Sequence, residues 1–405
     1  MQRISFFALL GAALILAAVL VLNSSSTVLT NANTKEVISA STTIPIEKKL
    51  ANVDIEPQKP LATPPKVING VYLTSWAAGT KKLVDYVIDL AANSEINAVV
   101  IDIKDYTGLI AYDTSLQAVN SYGTKELRIR KINSLIKKFH DAGIYVIARI
   151  SVFQDPALAQ ARPDLGVRSV SKASSTTDMK KALWKDRKGL AWLDPNSHEV
   201  WEYIGDLAKD AALRGFDEIN FDYVRFPSDG DLADMYFPFS STTMTRASVI
   251  KNFFSYLRSA LPETRISADL FGLSTISKGD LGIGQVIENA YRYFDFVSPM
   301  VYPSHYAPGS MGFANPADHP YEVVKNSIDS AYLRLMATST AGAIYNSKLR
   351  PWLQDFNLGA TYDAAKVSAQ IKAVRDSLGA NYNGFMLWNA SNRYTIDALG
   401  PKINQ

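Results

Sequence analysis

One stretch, 215–227 (GFDEINFDYVRFP), brings a carboxylate, a guanidinium and a phenol within a few residues of one another. Ile219, Phe221 and Tyr223 alternate with Asn220 and Asp222, the period of two expected of a β-strand. The apolar set should face a layer of helices, which turns Asn220 and Asp222 to the opposite side. An ionised carboxylate is costly to bury unless it is paired or has a chemical task. Asp222, on a strand that runs on into Arg225 and Pro227, is therefore read as the centre of an active site. A structural ion pair between Asp222 and Arg225 is the competing role.

A second carboxylate, Asp269, lies in the strand-like segment 265–273 (RISADLFGL). Two such groups fit glycoside hydrolysis. One carboxylic acid protonates the leaving oxygen, and one carboxylate attacks the anomeric carbon or activates water. A neighbouring guanidinium lowers a carboxylate's pKa, so Asp222 beside Arg225 suits the nucleophile or base. Asp269 is flanked by Ala268, Leu270 and Phe271, and an apolar setting raises a carboxyl's pKa, as a general acid requires. A hydrogen bond to a neighbouring loop is the competing role for Asp269. Other strand ends offer Asp102, Lys104 and Asp105, then Arg149, Tyr302, Gln354 with Asp355, and Trp388 with Asn389. Asp102 and Lys104 either pair with each other or serve substrate binding. Arg149, Arg225, Tyr302 and Gln354 would position a sugar. Tyr223, Tyr302, Trp352 and Trp388 offer faces for sugar rings, and His305 is a loop contact or plain surface.

Composition removes several alternatives. The 405 residues contain no cysteine, which excludes disulfides, thiolate metal sites and a cysteine nucleophile. The four histidines are far apart and lack metal-ligand spacing, so no metal and no organic cofactor are expected. Asp229, Asp231 and Asp234 lack the order of a calcium loop and read as a solvated turn. A net charge of +3 without a basic cluster argues against nucleic acid as a partner.

The elements that must position these groups alternate from residue 67 onward. Eight strand patterns occupy 70–76, 96–105, 144–153, 216–226, 265–273, 294–303, 349–356 and 382–391. Helical patterns fall at 83–94, 130–143, 200–215, 247–261, 321–335 and 363–379, three of them ending on Gly143, Gly215 and Gly379. This rhythm predicts a (β/α)8 TIM barrel over 67–401, and no GxGxxG follows the first strand to favour an open doubly wound sheet. The connections 154–198 and 304–320 follow strands three and six, so in a barrel both rim the mouth and could act as lids.

Ahead of the barrel, residues 4–22 are almost continuously apolar after a short basic start, which predicts a membrane anchor or a signal peptide. Residues 23–66 are polar and proline-bearing without periodicity, as expected of a disordered linker. The barrel would then lie outside the cell membrane, tethered through the N-terminal segment, or be secreted if that segment is cleaved.

The ordered set GVYLTSW, NAVVIDIKD, WLDPNSHEVWEYI, GFDEINFDYVRFP, SADLFG, VSPMVYPSHY, HPYEVV, LRPWLQDF and GFMLWNAS resembles the bacterial and archaeal glycoside hydrolase family once classed as a domain of unknown function. The resemblance implies a TIM barrel related to alpha-amylase-like barrels, often secreted or membrane-anchored. In those barrels a nucleophilic Asp ends the fourth strand and an acid/base ends a nearby strand, which maps here to Asp222 and Asp269. The position after the fifth strand is often Glu in such barrels, whereas here it is Asp269. The expectation is thus a monomeric, exported glycosidase acting on a cell-wall or extracellular polysaccharide or oligosaccharide. The alternative is a non-catalytic carbohydrate-binding barrel of the cell envelope.

Overall fold

The computed structural model describes residues 53–340 and 346–402. Eight strands form its centre: β1 (Ile68–Leu73), β2 (Ala98–Lys104), β3 (Tyr145–Ser151), β4 (Glu218–Asp222), β5 (Ile266–Phe271), β6 (Phe296–Val301), β7 (Trp352–Gln354) and β8 (Gly384–Trp388). Each pairs in parallel with its sequence neighbours, and β1 pairs with both β2 and β8, so the sheet closes. The predicted TIM barrel is the observed fold.

Seven helices cover the strands: α1 (Lys81–Asn93), α2 (Ile132–Asp141), α3 (His198–Leu213), α4 (Arg246–Ala260), α5 (Ile287–Tyr291), α6 (Pro320–Thr340) and α7 (Ala364–Leu378). Ser197, Thr245 and Asp363 cap α3, α4 and α7 by accepting a first-turn backbone N–H. Only α5 has no counterpart among the predicted helices, because five residues are too few to show a helical period. Ile219 and Phe221 pack outward into the helix layer, whereas Tyr72, Val100, Ile147, Trp352 and Met386 fill the lumen. Deep in the barrel Arg350 pairs with Glu218, both fully buried, and Ser267 Oγ donates to the same carboxylate at 2.5 Å.

All eight strands are shorter than their predicted segments, and the fourth and seventh are cut short for identifiable reasons. The fourth stops at Asp222 because Tyr223 adopts φ 53°, a left-handed conformation that ends the alternation. The seventh is divided. Lys348–Leu349 pairs with β6, Pro351 interrupts, and pairing resumes at Trp352.

Of the expected linker, residues 23–52 lie outside the described residues, but 54–66 are not loose. Asp54 accepts from the backbone N–H groups of Asn133 and Ser134 at the start of α2, at 2.7 and 3.0 Å. Gln58 N donates to Arg214 O at 3.0 Å, and Leu61 N donates to Asp217 Oδ1 at 2.6 Å. These bonds hold the segment across the N-terminal face of the barrel. The predicted anchor at 1–22 is outside the described residues; among the described residues no helix is long and apolar enough to cross a membrane.

The long connection after β3 folds on itself through the antiparallel bridges Gln154–Trp192, Gly166–Leu193 and Lys185–Ala191. Its Arg168–Ser169 pairs with Met235–Tyr236 of the connection after β4. Trp184 and Trp192 form the interior of this small layer and are buried.

Candidate active site

The C-terminal ends of β2, β3, β4 and β5 bring three carboxylates around one guanidinium. Arg149, at the end of β3, donates from Nη1 to Asp102 Oδ1 at 2.5 Å and from Nη2 to Asp222 Oδ2. Its Nε stands 3.7 Å from Asp269 Oδ2. Asp222 Oδ1 also accepts from the backbone N–H of Tyr223 at 2.5 Å, so the left-handed turn after β4 aims a donor back at the carboxylate. Phe221 lies opposite Ala268 in the register of β4 and β5, which sets Asp222 and Asp269 on adjacent strand ends.

Asp269 is the most enclosed of the three, 1% exposed. Asn220 Nδ2 and Trp352 Nε1 donate to its Oδ1 at 2.9 and 2.8 Å. Its Oδ2 has no hydrogen-bond partner among the described residues. Burial first, and the nearby Asp222 carboxylate second, push the Asp269 carboxyl up to about 8, against the opposing pull of Arg149. Asp102 is likewise raised by burial, with Arg149 and the Tyr72 hydroxyl pulling the other way. The Tyr72 hydroxyl donates to Asp102 Oδ2, and its ring stacks on Trp388 with centroids 3.9 Å apart. Trp388 is half-buried at the mouth, and the Arg149 guanidinium lies 5.1 Å from its ring centroid. Tyr302 is buried beside the same carboxylates, and burial with Asp269 and Asp222 raises its hydroxyl pKa well above the ordinary range. His305 lies at the exposed rim, its ring centroid 5.3 Å from that of Tyr302 and 5.9 Å from that of Phe356.

Several predicted roles change. The cation beside Asp222 is Arg149, not Arg225. Arg225 donates to Phe226 O and Ser228 Oγ, both at 3.1 Å, and lies within 4.6–5.2 Å of the Phe271, Trp192 and Tyr223 ring centroids, so it locks the connection after β4. Lys104 does not share the lumen with Asp102. The β2–β3 register shifts between Asp102 and Lys104, a bulge that sets Lys104 opposite the outward-facing Ile150. There it is fully buried, pairs with Asp155 at 2.9 Å and donates to Ser151 O. Gln354 has no free group for a sugar. Its amide accepts from Ser304 N at 3.1 Å and donates to Phe356 O at 2.9 Å, and its backbone N–H and C=O bond the Gln370 side-chain amide. Trp352 is buried too and acts through its N–H on Asp269, not as an open sugar face. Tyr72 is the site residue not singled out from sequence. Its signal is positional: an inward-facing residue near the C-terminal end of β1, beside the strand that carries Asp102.

Among the described residues no group of three or more His, Cys, Asp or Glu side chains could hold a metal ion. The arrangement supplies a paired carboxylate, a carboxyl whose pKa lies above neutrality, and aromatic surface at one barrel mouth.

The model of the family described as "Putative glycosyl hydrolase domain" matches residues 70–394. A hypothetical protein from Ruminiclostridium thermocellum is 37% identical with a TM-score of 0.44, over 49% of this chain and 96% of its own. An alpha-galactosidase from Thermus thermophilus is 14% identical with a TM-score of 0.47, over 83% of this chain and 60% of its own. For an alpha-L-fucosidase from Paenibacillus thiaminolyticus the values are 12%, 0.48, 82% and 48%. The aligned part thus spans about half to three fifths of those two glycosidases. No curated protein matches the chain.

Proposed function

This chain belongs to the glycosyl hydrolase family whose model it matches over 70–394, and we propose that it cleaves glycosidic bonds of a cell-wall or extracellular polysaccharide through Asp222 and Asp269. The observation that carries the reading is Asp269: enclosed, held at Oδ1 by Asn220 and Trp352, free at Oδ2, and pushed up to about 8. A carboxyl still protonated at neutral pH can give its proton to a leaving oxygen. Asp222, fixed by Arg149 and by the Tyr223 N–H, serves as the nucleophile.

Asp222 attacks the anomeric carbon while the bond to the leaving sugar breaks, and Asp269 passes its proton to the departing oxygen. Water then attacks the resulting glycosyl ester. Its proton returns to Asp269, which frees Asp222 and releases the sugar. Nε and Nη2 form one edge of the Arg149 guanidinium, and the two carboxylates meet that edge. Such closeness suits the ~5–5.5 Å separation of retaining enzymes better than the ~6.5–9.5 Å of inverting ones. Trp388, Tyr302 and His305 would border the bound sugar. The export of the barrel, and its attachment to the membrane, rest on the apolar stretch 4–22.

The enclosure of Asp269 favours a second reading, a barrel that binds a glycan without cleaving it. The discriminating experiment screens the protein, Asp222→Asn and Asp269→Asn against wall and extracellular polysaccharides. Binding and release of reducing ends are measured side by side. Release by the wild type alone, with binding kept in both variants, supports the hydrolase; binding without release in all three supports the glycan binder.

A further inference from the structure

Trp76 lies four residues beyond Tyr72, in the short helix Ser75–Ala78 that follows β1 on the mouth side of the barrel. It is 59% exposed. An indole left largely in water forgoes the stabilisation that burying so large an apolar surface brings. Its surroundings are nevertheless built with care. The Arg128 guanidinium lies 5.1 Å from the ring centroid, and Arg128 itself is buried. Arg128 donates to Asp105 at 2.6 Å, Glu126 at 2.6 Å, Ser75 Oγ at 3.1 Å and Thr107 Oγ1 at 3.2 Å. The helix is anchored as well. Thr74 caps it at Ala77 N and donates from its hydroxyl to Asn392 Oδ1 at 2.9 Å, on the connection after β8. The platform is thus tied to the connection after β8, whose last residue is Trp388, and, through Arg128, to Asp105 just beyond β2, which carries Asp102.

We propose that Trp76 is an outlying sugar-stacking platform, on which a unit of the polysaccharide beyond the cleaved bond rests, so that the enzyme favours long chains over short glycosides. The C–H face of a pyranose is apolar and slightly positive, and it packs on the negative face of an indole. A ring fixed in advance by a saturated guanidinium loses little freedom when the sugar arrives. The proposal rests on the glycan-binding character of the site, not on cleavage.

The test uses the full chain carrying Asp269→Asn, so that ligands stay intact, with and without Trp76→Ala and Trp76→Phe. Affinity is measured by calorimetry for dimers and octamers of β-linked glucose, galactose and N-acetylglucosamine. Octamers of at least one polymer should bind the Trp76 protein about 10-fold tighter than the dimer, through the stacking free energy of one further sugar. Trp76→Ala should lose that advantage and Trp76→Phe keep part of it, with circular dichroism unchanged. An advantage that survives Trp76→Ala, or its absence from every polymer in the Trp76 protein, overturns the proposal. If the wild type cleaves nothing while the length dependence stands, the hydrolase reading fails and the platform remains.

Discussion

Arg149 binds Asp222 across 73 positions of sequence, from the end of one strand to the end of the next. The same guanidinium holds Asp102 and stands 3.7 Å from Asp269, so it fixes the mutual geometry of these three carboxylates. It is a positioning residue. Removing it leaves buried carboxylates without their cation, which costs about 3–5 kcal/mol of stability. Arg149→Met should therefore lower the urea midpoint, and in the folded fraction kcat should fall at least ~100-fold while KM moves less. Unchanged kcat in Arg149→Met would show that the carboxylates need no such clamp.

The raised pKa of Asp269 makes stability depend on pH. Burial pushes the carboxyl from its ordinary 3.8 up to about 8 inside the fold, so the folded state holds its proton more tightly than the unfolded chain does. Its contribution is fully present below the unfolded value and is lost as the pH rises toward 8. The urea midpoint of the wild type should fall between pH 5 and pH 9. In Asp269→Asn, which carries no ionisable group there, the fall should be smaller. Parallel curves would place the Asp269 pKa in the ordinary range.

Trp352 offers a finer probe of the same group. Its Nε1–H donates to Asp269 Oδ1 and favours the ionised form. Trp352→Phe removes the donor while keeping an aromatic ring, so the Asp269 pKa should rise further. The alkaline limb of kcat against pH should then move to higher pH. A limb that stays in place or moves down would disconnect Trp352 from the acid.

Lys104 and Asp155 separate structure from binding. Both are fully buried and paired at 2.9 Å. Lys104→Met should destabilise the protein by about 3–5 kcal/mol, because it strands the Asp155 carboxylate. The double variant Lys104→Met/Asp155→Asn should recover part of that loss. Substrate KM should not change in the folded fraction, in contrast to the binding role that the position of Lys104 in the sequence suggests.

Much of this protein is written locally. The eight strand patterns, their spacing and the glycine stops already specify the barrel, because side chains of period two and 3.6 report the faces that must be buried. Asp222 and Asp269 stood out for the same reason: a carboxylate at an inward strand position is conspicuous wherever the strand ends up. The partners were not legible. Arg225 is three residues from Asp222 and Arg149 is 73 away, yet the pairing of β3 with β4 brings the distant guanidinium to the carboxylate while the turn at Tyr223 carries the near one off. One bulge reverses the side on which Lys104 emerges, and the Gln354 amide is engaged by Ser304 N and Phe356 O from two different connections. Strand periodicity is a property of consecutive residues, so the sequence alone determines it. Which donor meets which acceptor, and which carboxyl is shut away from water, depends on register and closure, which only the tertiary structure decides.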